Sequence, residues 1–156
     1  MRPLCFVVLA VVLVGCSSST SPSAESGASP GDPKAYLDKA AAQPGAVRTA
    51  SGLVYRELRA GSGESPKASD TVTVNYRGTL VDGTEFDSSY ARKEPAQFPL
   101  SQVIPCWTEG VQKMKVGGKS ELVCPASIAY RDRGSPPVIP GGATLIFEVE
   151  LVKIGG

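Results

Sequence analysis

Histidine is missing from all 156 residues. Its absence removes the usual general base, the Ser-His-Asp and Cys-His arrangements, and most zinc sites. Any chemistry the chain performs does without imidazole. Cysteine is scarce: Cys5 and Cys16 lie in an N-terminal apolar region, Cys106 and Cys124 in the body of the chain, and none stand in CxxC spacing. That pattern argues against a metal site, and nothing calls for a cofactor. Positive and negative side chains nearly cancel, at a formal net charge of +1. No run of like charge gathers Lys and Arg into a stripe, so no nucleic-acid partner is expected. There is no internal repeat, and the length leaves room for one core.

What is present begins with an address. Arg2 gives a positive start, and Leu4 to Val14 is an apolar run, shorter than the roughly 20 residues a membrane-spanning helix needs. This is signal-peptide anatomy, placed at residues 1–15. The run ends Leu13-Val14-Gly15-Cys16, which resembles the bacterial lipobox, where cleavage before the cysteine leaves its thiol to carry lipid. The plainer alternative is an ordinary signal peptide with an incidental cysteine. Residues 16–33 are nearly all Ser, Thr, Ala, Gly and Pro, too poor in apolar surface to offset ordering entropy, and read as a flexible tether. A lipid-anchored protein of the bacterial cell envelope, facing the periplasm or exterior, is the expectation.

Asp32-Pro33 reads as helix N-cap and first turn, and Pro44-Gly45 as a stop, so residues 34–50 are expected to hold a short helix. It reads as a spacer, with a remnant dimerisation arm as the alternative; a helix this short buries little, and a monomer is expected.

From residue 51 the periodicity changes. Asp70 to Thr79 alternates, with Val72, Val74 and Tyr76 on one face and Thr71, Thr73, Asn75 and Arg77 on the other, the period of a half-buried strand. Asp82-Gly83 is a hairpin signal. Lys119 to Pro125 and Thr144 to Ile154 alternate likewise, the latter aligning Leu145, Phe147, Val149 and Leu151. Between them Pro105 opens a helix; Val103, Trp107, Val111 and Met114 recur at helical spacing and Gly117-Gly118 is the expected stop. Several strands and one helix, without regular alternation, predict an α+β fold: an antiparallel, half-barrel-like β-sheet wrapped over one short α-helix.

Cys106 lies in the first turn of that helix and Cys124 near the end of the strand after it. The helix climbs about 15 Å and the strand returns about 17 Å, so the two cysteines finish near one level. In an exported protein this predicts a disulfide; two reduced, buried thiols are the alternative.

The ordered set Val72 to Tyr76, Gly78, Leu80, Asp82-Gly83, Phe86-Asp87-Ser88-Ser89, Phe98, Val103-Ile104-Pro105-Cys106-Trp107, Glu109-Gly110, Ile128-Ala129-Tyr130, Ile139-Pro140 and Ala143 to Phe147 resembles the FKBP-type prolyl isomerases. The resemblance runs from about Ser51 to Lys153 and implies an isomerase domain over residues 51–156, with a shallow apolar pocket between sheet and helix. It implies Trp107 as the floor, Tyr76, Phe86, Phe98 and Phe147 as walls with Val103 beside them, and Asp87, Tyr130 and the Ile104 backbone N–H as polar contacts. Tyr76, Asp87, Ile104 and Tyr130 are then the catalytic set; Phe86, Phe98, Val103, Trp107 and Phe147 bind substrate. Three departures stand out: Ala96 lies where some relatives place a wall aromatic, Arg131 where glycine usually follows the tyrosine, and Cys106 where glycine often precedes the tryptophan.

The activity so implied is cis/trans isomerisation of X-Pro bonds in unfolded or partly folded exported polypeptides. Macrolides of the FK506 or rapamycin type are the expected inhibitors, and the membrane is a partner through the lipid. A non-catalytic chaperone or docking module of the same fold is the alternative. Degenerate copies should lose the pocket's aspartate, tryptophan or tyrosine, and this chain keeps all three.

Overall fold

The computed structural model describes residues 32–155; the expected signal peptide, Cys16 and nearly all of the tether lie outside the described residues. Among the described residues the order is α1 (Pro33–Ala41), β1 (Ala46–Arg48), β2 (Val54–Arg59), β3 (Thr71–Leu80), β4 (Glu85–Ser88), α2 (Ser89–Arg92), β5 (Ala96–Pro99), α3 (Pro105–Lys113), β6 (Lys119–Cys124) and β7 (Leu145–Ile154).

The alternating residues of β3 and β7 make them the long central strands, paired from Val72 with Ile154 to Leu80 with Leu145. The seven strands form one antiparallel sheet, six of them in the order β1-β2-β6-β7-β3-β4 and β5 also paired with β3. On the far side of β3, β4 pairs with Arg77 to Thr79 and β5 with Thr71 to Val74. That edge is therefore made of two short strands with α2 bulging out between them.

One sheet face carries Val72, Val74, Tyr76, Leu122, Phe147, Val149 and Leu151, and α3 packs across it through Trp107 and Val111. A Cβ added at Gly110 would lie 2.7 Å from the Leu122 side chain, so glycine there lets the helix approach the strand. The helix ends at Lys113, short of the expected Gly117-Gly118 stop, because Met114 turns extended and drops into the core at 1% exposure. Gly117, at φ +87°, instead forms the turn into β6.

The expected spacer belongs to the folded unit. Asp32 caps α1 by accepting from the Lys34 and Ala35 N–H groups. Leu37 and Ala40 of α1 then cover Val54, Val123 and Ile146 on the opposite sheet face, and β1 adds a strand beside β2. The packed unit thus includes residues upstream of Ser51, because the outer face of β6 and β7 is apolar at Val123 and Ile146 and requires a cover.

Cys106 and Cys124 are joined by a disulfide with a Cα separation of 5.8 Å. Both are fully buried.

Candidate active site

The inner face of the sheet is not covered along its whole length. Beside the N-terminal turn of α3 lies a cavity of about 320 Å³, lined by Tyr76, Phe86, Asp87, Phe98, Gln102, Val103, Ile104, Trp107, Tyr130 and Phe147. The nine residues named from the sequence all line it; Gln102 was not among them.

Each wall is held by a different element. Trp107 comes from the first turn of α3 and is 4% exposed. Tyr76, Phe98 and Phe147 stand edge-on around it, with ring centroids 5.2 to 5.4 Å from the indole. Phe86 packs edge-on against Phe147 at 5.5 Å. Such perpendicular packing matches positive ring edges to negative ring faces. Gly78 makes room for it: a Cβ there would fall 2.6 Å from the Phe86 ring and 3.0 Å from the Phe147 ring.

The gap between β4 and β5 leaves Tyr76 without a strand partner on that edge. Ser89, almost wholly buried at the start of α2, fills it: its Oγ accepts from the Tyr76 N–H at 2.8 Å and donates to the Tyr76 carbonyl at 3.3 Å. The same short helix delivers Arg92, which the sequence reading did not single out. Tyr76 Oη donates to Asp87 Oδ2. Arg92 donates to Asp87 Oδ1 at 2.5 Å and to Tyr76 Oη at 3.0 Å, and its guanidinium lies 5.6 Å from the Tyr76 ring centroid. The Ser88 N–H adds a bond to Oδ1 at 2.9 Å. A signal existed in the five-residue spacing of Asp87 and Arg92, but only α2 brings the two side chains together.

Burial alone would raise the Asp87 pKa; the bonds from Tyr76 and Arg92 outweigh it and hold the carboxyl below its ordinary range. Tyr76 is pushed up, first by burial and then by the carboxylate it donates to. Arg92 is raised by its bonds to both. Asp87 is thus an ionised, oriented charge at the cavity edge, and the Tyr76 hydroxyl is fully engaged in holding it.

Ile104 is the N-cap of α3, and its carbonyl accepts from Trp107 and Thr108. Among the described residues its N–H donates to no backbone carbonyl. Tyr130 stands between two 3₁₀ turns, Ala126–Ile128 and Arg131–Arg133, at 38% exposure. The site therefore offers an apolar slot whose lining also includes the Asp87 carboxylate, the Gln102 amide, the Tyr130 phenol and Ile104, whose N–H donates to no backbone carbonyl among the described residues. It contains no nucleophile poised beside a base. Among the described residues no group of three or more His, Cys, Asp or Glu is placed to hold a metal.

Residues 62–152 match the family model described as FKBP-type peptidyl-prolyl cis-trans isomerase. The chain is 52% identical over 121 residues to the FKBP-type peptidyl-prolyl cis-trans isomerase FkpA of Escherichia coli K12, covering 78% of this chain and 44% of that protein. It is 46% identical over 121 residues to the peptidyl-prolyl cis-trans isomerase Mip of Coxiella burnetii, covering 78% of this chain and 53% of that one. The crystal structure of FkpA from Escherichia coli superposes with a TM-score of 0.77 at 51% identity, over 79% of this chain and 57% of that chain. A peptidyl-prolyl cis-trans isomerase structure from Pseudomonas syringae gives 0.74 at 35% identity, over 80% and 91%. The chain thus spans about half the length of the curated relatives it matches.

Proposed function

Since the chain belongs to the FKBP-type peptidyl-prolyl cis-trans isomerase family, we propose that it accelerates rotation about X-Pro bonds in exported polypeptides. The observation that carries this reading is the aromatic slot closed by Trp107, with Asp87, Ile104 and Tyr130 among the residues that line it. Rotation about an imide faces a barrier of about 18 to 20 kcal/mol because the C–N bond has double-bond character. No bond need break. A twisted imide has lost that resonance and its planar dipole, so a dry aromatic slot disfavours the planar states relative to the twist.

The proline ring enters over Trp107 between Tyr76, Phe98 and Phe147. The Ile104 N–H and the Tyr130 hydroxyl hold peptide groups on either side of the bond while it turns. Asp87 acts through its fixed field at the twisting carbonyl and transfers no proton. Tyr76, catalytic in the expectation from sequence, has its hydroxyl committed to Asp87; its part is to orient that carboxylate and supply a wall. This mechanism needs no histidine.

The test is a protease-coupled assay with Leu-Pro and Phe-Pro peptides. Acceleration that FK506 or rapamycin inhibits is expected, and Asp87→Ala, Tyr130→Phe and Trp107→Ala should lower it. Turnover equal to buffer removes the reading and leaves a docking module.

The proposal extends to location. The Leu13 to Cys16 lipobox supports a mature chain that begins at lipidated Cys16 and sits on a membrane of the bacterial envelope. Among the described residues no helix is long and apolar enough to cross a membrane. The clients are then proline-containing polypeptides folding near that membrane.

A further inference from the structure

We propose that Cys106 and Cys124 are positioning residues of the pocket: their bond fixes the floor and the backbone donor against the segment that carries the rim phenol. The inference rests on the isomerase reading and deepens it. Cys106 is the second residue of α3, between Ile104, which lines the slot and whose N–H donates to no backbone carbonyl among the described residues, and Trp107, its floor. Cys124 is the last residue of β6. After it Pro125 and the 3₁₀ turn Ala126–Ile128 lead to Tyr130, with Ile128 and Ala129 N–H groups donating back to Pro125 and Ala126 at 3.1 and 3.0 Å. One covalent bond therefore links the two chain segments whose polar groups must grip a peptide on both sides of one rotating bond.

This end of the helix is also held by Thr108, whose Oγ1 donates to the Leu100 carbonyl at 2.7 Å, and by the rings packed on Trp107, but only the disulfide joins it covalently to another element. Ile104 supplies no side-chain cap to α3. The Trp107 indole N–H is buried and has no acceptor among the described residues, so packing and backbone placement alone set the ring. The backbone beside it is the one pinned, at Cys106, to β6, whose Leu122 pairs with Phe147 of the pocket wall. The bond lies in the core at 0% exposure of both residues, which suits a fixed strut rather than an accessible thiol switch.

The experiment compares the oxidised chain with Cys106→Ala/Cys124→Ala and with Leu37→Ala, which loosens the opposite sheet face and leaves the pocket alone. All are assayed where each is fully folded by circular dichroism. Displacements of about 1 Å in a positioning group cost up to about a hundredfold. The double variant is expected to lose about tenfold in kcat/KM, mainly in kcat, while Leu37→Ala stays within about twofold. Affinity for rapamycin, read on Trp107, the chain's one tryptophan, should fall in parallel. If the double variant does not fold, Cys106→Ala/Cys124→Val, which restores the lost volume, takes its place. Wild-type kcat/KM and affinity in the unbridged chain overturn the inference. If the oxidised chain has no turnover, the isomerase reading fails, and rapamycin affinity alone then decides for or against positioning.

Discussion

Asp87 shows how one residue's environment becomes measurable. Burial opposes its charge, but Tyr76 and Arg92 bond the ionised form and bring its pKa below the ordinary value, which is near 3.9 in an unfolded chain. A depressed carboxyl contributes its stability above the unfolded value and loses it as pH falls through the folded one. The stability difference between wild type and Asp87→Asn, from urea titrations, should therefore be constant from about pH 5 to 8 and shrink below about pH 4. A gap unchanged down to about pH 2 would show that the bonds do not favour the charged form. Arg131 is a second residue-scale case. It holds φ +53° beside the pocket tyrosine, the left-handed region that costs an L-residue about 1 to 2 kcal/mol. Glycine avoids that cost and gives back part of it in unfolded-state entropy, so Arg131→Gly should stabilise by about 0.5 to 1 kcal/mol. Equal or lower stability in chemical denaturation would contradict this.

At the scale of elements, α1 is the one whose role changed between sequence and structure. As an isolated helix it is too short to persist in water; it persists because Leu37 and Ala40 cover Val54, Val123 and Ile146. Leu37→Ala should cost about 2 kcal/mol, the low end for a buried leucine. A chain begun at Ser51 should be less stable still, since it loses β1 and bares that apolar row. Thermal melts of the two forms beside wild type check this, and matched melting temperatures would leave α1 a mere spacer. The short α2 matters for another reason: it interrupts the β4 and β5 edge and in doing so places Ser89 under Tyr76 and Arg92 over it.

For the whole molecule, the proposed lipid at Cys16 and the first described residue, Asp32, are separated by a stretch that can span at most about 55 Å. That bounds how far from the bilayer the slot can work. Three acyl chains hold a protein far more firmly than one, whose anchoring is marginal. Cys16→Ser should leave the precursor uncleaved or release the chain from the membrane fraction. Mass spectrometry of mature wild-type protein is the direct check, and an unmodified Cys16 would end the lipoprotein reading.

What the sequence by itself determined was whatever rests on local periodicity or on an ordered pattern. The alternation of β3 and β7 marks the central strands, since a two-residue period allows one buried face. The family-like order from Val72 to Phe147 marks the nine slot residues. The absence of histidine already excluded imidazole as a general base. Tertiary structure alone decided the rest. Arg92 enters the site because α2 folds back over Tyr76, and Gly78 matters because two rings from β4 and β7 cross above it. The helix after Asp32 becomes part of the fold only once β6 and β7 lie side by side and their outer apolar row needs a cover. These relations join residues far apart in the chain through surfaces that exist only after the sheet has formed, and no local pattern encodes a surface that is not yet there.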